Sequence, residues 1–422
     1  MSYEADYAKA LQIGRPPNVR KLFPYSKALI VSGKAIDRAM RAKGHAMTIA
    51  ANGRSTTVIR GTLKAAQKAN AAIIIEIAKS ESNYCHVGLW NIARYVDSFC
   101  NELGITVPVA VHADHFGITS AAELEKAKTD IPSIFDQGIT SIAIDASHMP
   151  EDENLLANIE ISKYIPSWAG YETEVGEIKG ATGLSTPEEA LFLIQGLNAH
   201  KIFPDWIALN NGTTHGIEES DAGIQVELTA EIHKAIEKYG VSGAQHGTSG
   251  NSNERLKKIA SETHTTKANV ATALQMLSWG VKVNEFGNAI LDADKNLLKL
   301  ECTGMDDKLW AEMVAYAKDK GLKAGDFKKL NLPFENKILA QTSEVRERME
   351  KAVEDFVYDL LVNVFNAKDT APLAVEAILK AGSHDLGPKG TQIENPADWT
   401  VEKIKAKGKE KTDDSPAGKY DD

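Results

Sequence analysis

The 422-residue sequence predicts an α/β fold, a (β/α)8 TIM barrel with helical extensions at both ends. Two observations carry that prediction. Short apolar runs recur eight times and alternate with segments of helical periodicity, as successive β–α units of a parallel sheet do. Three of the runs also stop at a histidine, and side chains from the carboxyl ends of separate strands meet most directly on a barrel axis. A doubly wound open sheet is the competing architecture; chemistry on the third, sixth and seventh strands favours the barrel.

Residues 1–40 read as an N-terminal helical extension and 41–330 as the barrel domain. The strands fall at 46–51, 72–78, 107–114, 141–147, 171–176, 205–211, 243–247 and 280–286. STTVIRGTLKAAQKAN, from Ser55, has helical spacing. Val107 to Val111 is apolar throughout, as a strand buried on both faces should be. Thr186, Pro187 and Glu189 combine an N-cap, a proline at the first helical position and a capping-box glutamate. Residues 331–400 read as a C-terminal helical extension, within which 335–380 is strongly amphipathic. Such a stripe must be buried on the barrel or on a second subunit, so a homodimer or higher homo-oligomer is expected. Residues 401–422 are charged, poor in large apolar side chains from Lys403 onward, and read as a disordered tail.

Composition narrows the function. A net charge of -10 argues against a nucleic-acid groove. No apolar run approaches the roughly 20 residues that span a bilayer, so no membrane role is expected. The N-terminus carries acids and lacks an apolar signal core. Cys85, Cys100 and Cys302 are too few and too scattered for a disulfide framework or a cysteine metal site. The expectation is a cytoplasmic protein acting on a small molecule.

VPVAVHADHFG ends abruptly in His112, Asp114 and His115; WIALNNGTTHG ends at His215; SGAQHGTSGNS presents His246. His115, His215 and His246 suit a divalent metal, zinc above others, with three nitrogen ligands and one open position. A lone strand-end histidine is more often merely satisfied than a ligand; the trio carries the argument. His45, His86, His200, His233, His264 and His384 lack this setting, and His148 supports rather than ligates. Asp114 is placed to exchange a proton with a substrate hydroxyl or to orient a neighbouring histidine. Glu172 and Glu174 share a strand face and, if buried, need a cationic partner. On the expected eighth strand Lys282 would be a barrel-core counterion and Asn284 a substrate contact. HGTSGNS, ahead of a helix starting near Asn253, can cradle a phosphate on backbone N–H groups.

VPVAVHADH, IDASHMPEDENLLANIEI, ETEVG, NGTTHG, HGTSG and VKVN occur in that order over roughly residues 45–290. Together they resemble the class II, metal-dependent ketose-bisphosphate aldolases, typified by cleavage of fructose 1,6-bisphosphate. The resemblance implies retro-aldol cleavage of a ketose or ketose phosphate to an aldehyde and dihydroxyacetone or its phosphate, through an enediolate stabilised by the metal. It makes Asp114 the proton carrier at the C4 hydroxyl and His115, His215 and His246 the zinc ligands. Glu174 becomes an alternative metal ligand, Asp145 a support behind the metal, and Asn284 the enediolate contact. Gly216, Gly247 and Ser249 become phosphate contacts, with a monovalent cation beside the phosphate. The chain departs from the pattern where Glu218, Glu219 and Ser220 stand in place of a phosphate-binding lysine, and where Ile338 stands in place of an arginine. Glu177 is the one acid in the short loop that should carry the enediolate base, and Lys79 and Lys179 are candidate replacement cations. A C4 epimerase that rejoins the fragments, and a non-catalytic subunit on the same barrel, are the alternatives.

Overall fold

The computed structural model describes residues 2–176, 183–212, 223–284 and 287–408. Eight strands close into one barrel, each parallel to its neighbours in sequence order: β1 (Thr48–Asn52), β2 (Ile73–Ala78), β3 (Val109–Gly117), β4 (Ser141–Asp145), β5 (Gly170–Val175), β6 (Trp206–Leu209), β7 (Ser242–Gln245) and β8 (Thr265–Val270). Three helices precede the barrel: α1 (Tyr3–Ile13), α2 (Pro17–Leu22) and α3 (Gly33–Lys43). α3 lies against the starts of the strands; Gly33 abuts Ser141 and Trp206 so closely that a side chain there would overlap them. It therefore plugs the barrel's amino-terminal opening.

The crossover helices are α4 (Thr56–Ala69), α5 (Ile92–Leu103), α6 (Ala121–Asp136), α7 (Glu151–Ile161), α8 (Pro187–Ala199), α9 (Val226–Ile236) and α10 (Asn253–Glu262). Their starts follow the local chemistry. Ser55 accepts from the Val58 amide at the head of α4, and Thr186 with Glu189 forms the expected capping box on α8.

The eighth strand is not where the apolar pattern put it. β8 is TTKANV; of the expected strand 280–286, Val281 and Val283 instead form antiparallel bridges, with Lys299 and Ala289 respectively, and residues 285 and 286 lie outside the described residues. The segment 261–279 holds β8 itself and α11 (Thr272–Trp279). The cause is polarity: Lys267 is wholly buried in the barrel interior and Asn269 nearly so, so β8 lacks the continuous apolar run of an ordinary parallel strand.

After the hairpin come α12 (Asp307–Asp319) and α13 (Asn331–Leu339), and residues 276–349 share a separate apolar cluster built on Trp279, Met305, Met313, Phe327 and Phe334. α14 (Ser343–Asp359) then returns to the barrel. It buries Met349, Val353 and Val357, and Gly61 of α4 lets the two backbones approach: a Cβ there would stand 2.6 Å from the Glu350 carbonyl. α15 (Ala371–Ala381) packs on α3 and α1. Residues 401–407, expected within the disordered tail, form α16 (Val401–Lys407), because Ile404 finds an apolar cluster with Trp399 and α8.

Candidate metal and catalytic site

β3 builds the site by breaking its own regularity. A strand points consecutive side chains to opposite faces, which would separate Asp114 from His115. The register of β3 against β4 shifts between Ala113 and Phe116, and His115 adopts φ +40°. A left-handed residue other than glycine costs roughly 1–2 kcal/mol, and here the bulge keeps both side chains buried at the barrel mouth.

His115 Nδ1 lies 3.1 Å from Glu174 Oε1 and 3.3 Å from Asp145 Oδ2. Asp145 is itself fixed by the Ser147 hydroxyl and amide, which donate to its Oδ1 at 2.6 and 3.0 Å. His246 Nε2 lies 2.9 Å from Glu172 Oε1. Facing a carboxylate, each of these nitrogens carries the ring proton when the imidazole is neutral, so the lone pairs are on His115 Nε2 and His246 Nδ1. Those two nitrogens face each other at 2.7 Å. Burial, reinforced by His115, lowers the His246 pKa and keeps that ring neutral. Two lone pairs aimed at one buried point are repulsive unless a cation lies between them. The two imidazoles group with Asp114, and His115 groups separately with Asp145 and Glu174, donor sets that fit a divalent metal such as zinc. Glu174 carries the same signature: burial, then Asp145, push its pKa up to about 8.

Beneath this pair runs a buried ionic core. Lys267 Nζ donates to Glu172 Oε2 at 2.8 Å, and stands 3.4 Å from Glu76 Oε2 and 3.7 Å from Asp114 Oδ1. Burial opposes its charge, yet Glu172, Glu76 and Asp114 hold its pKa above the ordinary ammonium value. Burial would also raise Glu172, but Lys267 and the His246 hydrogen bond hold it well below the carboxylate range. Glu76 goes the other way, raised by burial and by Asp114. Burial and Lys267 lower His112 to about 3; its Nδ1 meets the Ser141 hydroxyl at 2.8 Å.

Asp114 is oriented by Asn269, whose Nδ2 donates to Asp114 Oδ1 at 2.8 Å. Asn269 Oδ1 and Asn52 Oδ1, both buried, accept no hydrogen bond among the described residues. Asn269, not Asn284, is the amide beside Asp114. Asn284 accepts from the Asn288 amide within its own hairpin turn, and Lys282 is exposed. Lys267 and Asn269 escape the sequence reading because KVN at 282–284 mimics KAN at 267–269 and follows the more apolar run.

The other expected residues are placed variously. Gly247 takes φ +58° in the β7–α10 turn, and Ser249 lines a crevice there with Thr248, Asn251 and Val270. Ser252 caps α10 as its start at Asn253 required. Lys79, at the end of β2, donates to the Gly117 carbonyl at 3.2 Å and sits over the Phe116 ring. Arg255, not singled out from the sequence, lies against Gly223 and 3.5 Å from Asn251 Oδ1, a cation on the β6–β7 side. His215, Gly216, Glu177 and Lys179 lie outside the described residues, as do Glu218, Glu219 and Ser220.

This geometry can be set beside known proteins. The family model for fructose-bisphosphate aldolase class-II matches residues 32–357. The chain belongs to the class II aldolase family. It is therefore a lyase of a family that acts on sugar phosphates and is generally metal-dependent. Fructose-bisphosphate aldolase of Staphylococcus aureus is 29% identical over 225 residues, covering 51% of this chain and 72% of that protein. The same enzyme of Geobacillus stearothermophilus is 27% identical over 223 residues, covering 51% and 71%. Among solved structures, the YdjI aldolase of Escherichia coli K12 superposes with TM-score 0.55 at 17% identity, covering 81% of this chain and 99% of that one. Fructose-bisphosphate aldolase of Campylobacter jejuni gives 0.54 at 17%, covering 81% and 97%. These last two similarities establish the barrel. Among the described residues no helix is long and apolar enough to cross a membrane.

Proposed function

We propose that the protein is a zinc-dependent aldolase that reversibly cleaves a ketose phosphate to dihydroxyacetone phosphate and an aldehyde. The observation that carries the reading is the opposed pair of imidazole lone pairs on His115 and His246, with Asp114 alongside. His115, His246 and, outside the described residues, His215 would hold the metal, with Glu174 as a further ligand. When bound, the metal supplies Lewis-acid stabilisation to negative charge developing on the donor fragment.

Asp114 accepts the proton of the C4 hydroxyl; the C4 carbonyl forms, the C3–C4 bond breaks, and its electron pair becomes the enediolate of the donor. Asn269 holds Asp114 in position and presents its unused Oδ1 to a donor hydroxyl. Lys267 keeps Glu172 ionised, and Glu172 in turn fixes the tautomer of His246. A loop acid, Glu177, protonates the enediolate. Ser249 and the Gly247 turn cradle the donor phosphate, with Gly216 and a monovalent cation. Arg255 supports that end electrostatically in place of the absent lysine, and Lys79 serves the distal end. We place the enzyme in the cytoplasm as a homo-oligomer.

Proton exchange into heavy water tests the reading by NMR, without knowledge of the aldehyde. Chelator-sensitive exchange at C3 of dihydroxyacetone phosphate, with none for dihydroxyacetone, is expected. Exchange with the free ketone alone would move the substrate to unphosphorylated sugars. No exchange with either, in protein carrying zinc, would overturn the aldolase assignment.

A further inference from the structure

The opposite end of the barrel from the catalytic mouth carries a second cavity. It encloses about 190 Å³ between the α3–β1 connection and the α10–β8 connection. Arg41, His45 and His264 line it, with Thr263, Thr265 and Thr266, and no aspartate or glutamate does. The ionisable side chains that line it are one arginine and two histidines, in a chain of net charge -10. The described acid bonded to this wall, Asp37, accepts from the Thr266 hydroxyl at 2.8 Å and is already matched by Lys389 at 2.7 Å and Arg38 at 3.3 Å. Its charge is therefore compensated from behind.

Two further features describe a site rather than a gap. His45 takes φ +49° directly after Gly44 at φ +72°, a left-handed step that sets the imidazole at the rim. Arg41 spends one bond on the Ser242 hydroxyl at 3.3 Å, and a guanidinium offers five N–H donors. Behind Thr265 lies His233, which is buried and stacked parallel to His264. Its Nδ1 accepts the His264 amide at 3.2 Å, so the neutral ring carries its proton on Nε2. That Nε2 has no hydrogen-bond partner among the described residues, and the ring packs so closely on Gly243 that a side chain there would overlap it.

We propose that this cavity is a binding site for a small oxyanion of the phosphate class, separate from the catalytic mouth. The arginine fork and two imidazoles match a tetrahedral oxyanion. The inference stands apart from the aldolase reading, since none of these side chains belongs to the catalytic cluster.

The test uses the full chain and inorganic phosphate as the probe. Diethyl pyrocarbonate modification is followed histidine by histidine by mass spectrometry, with His384 as the internal control. Millimolar phosphate should slow modification of His45 and His264 at least threefold in the wild type, and leave His384 unchanged. Arg41→Ala should abolish that protection, and Arg41→Lys should restore part of it. If Arg41→Ala does not fold, His264→Asn, on an exposed side chain, should lose protection at His45. Retro-aldol activity should stay within twofold in every variant that folds. Equal protection in wild type and Arg41→Ala, or no protection at His45 and His264, would overturn the proposal.

Discussion

The catalytic mouth and the apolar cluster of the 276–349 segment are both densely buried, but opposite chemistry fills them. The mouth packs Lys267, Glu76, Glu172, His112, Asp114, His115 and His246 into a region where none of them is more than 6% exposed. The segment packs Met305, Met313, Phe327, Leu330 and Phe334. The buried acid on the segment's α13, Glu335, sits at its border 3.0 Å from His86. An apolar core gains from burial alone. An ionic core repays desolvation only through its partners, and is retained where the charges have work to do. On the proposed reaction, the difference separates the part of the chain that reacts from the part that holds it.

Breaking each region should therefore give a different signature. Asp114→Asn keeps the shape of the side chain and removes the base, so kcat should fall by about 10²–10⁴-fold with near-UV circular dichroism unchanged. A variant that keeps more than a tenth of wild-type kcat would remove Asp114 from the proton-transfer role. Lys267→Met strips the shared cation from Glu172 and Glu76, and should cost about 3–5 kcal/mol in urea unfolding. Adding Glu172→Gln should recover part of that loss; if it does not, the pair is not coupled as the 2.8 Å contact implies. Met313→Ala should cost about 2–5 kcal/mol by leaving a cavity, while the folded enzyme retains its kcat. A fall in kcat without a fall in stability would mean that the segment takes part in the reaction.

The same contrast governs how much of the molecule the sequence discloses. The apolar strands β2 and β3, the capped helices α4 and α8, and the strand-end positions of Asp114, His115 and His246 follow from local patterns. β8 does not, because a strand whose inward residues serve an ionic core carries Lys267 and Asn269 where hydrophobic alternation expects valine or isoleucine. The bulge that turns His115 to φ +40° is equally silent: nothing in HADH distinguishes it from a regular strand. The convergence of the His115 and His246 lone pairs depends on distances to Glu174 and Glu172 that only the closed barrel sets. Chemistry hides the strand that serves it, and apolar packing advertises itself.

The smallest effect concerns a buried histidine remote from both regions. Burial, then His264, lower the His233 pKa to about 3, whereas an unfolded chain has about 6.5. Between those values the unfolded state binds the extra proton, so stability is present above pH 6.5 and is lost progressively as pH falls toward 3. From pH 7 to pH 5 the linkage amounts to about 2 kcal/mol. His233→Asn keeps an acceptor where Nδ1 takes the His264 amide and cannot be charged. Its urea midpoint should therefore fall less than the wild type's over that interval, by an amount equivalent to about 2 kcal/mol. Parallel curves for the two proteins would show that His233 becomes protonated without unfolding. The added proton would then reside on Nδ1 and displace the His264 amide, and the interior at the amino-terminal end of β7 and β8 would have to tolerate a charge that the ionic core at the mouth balances explicitly.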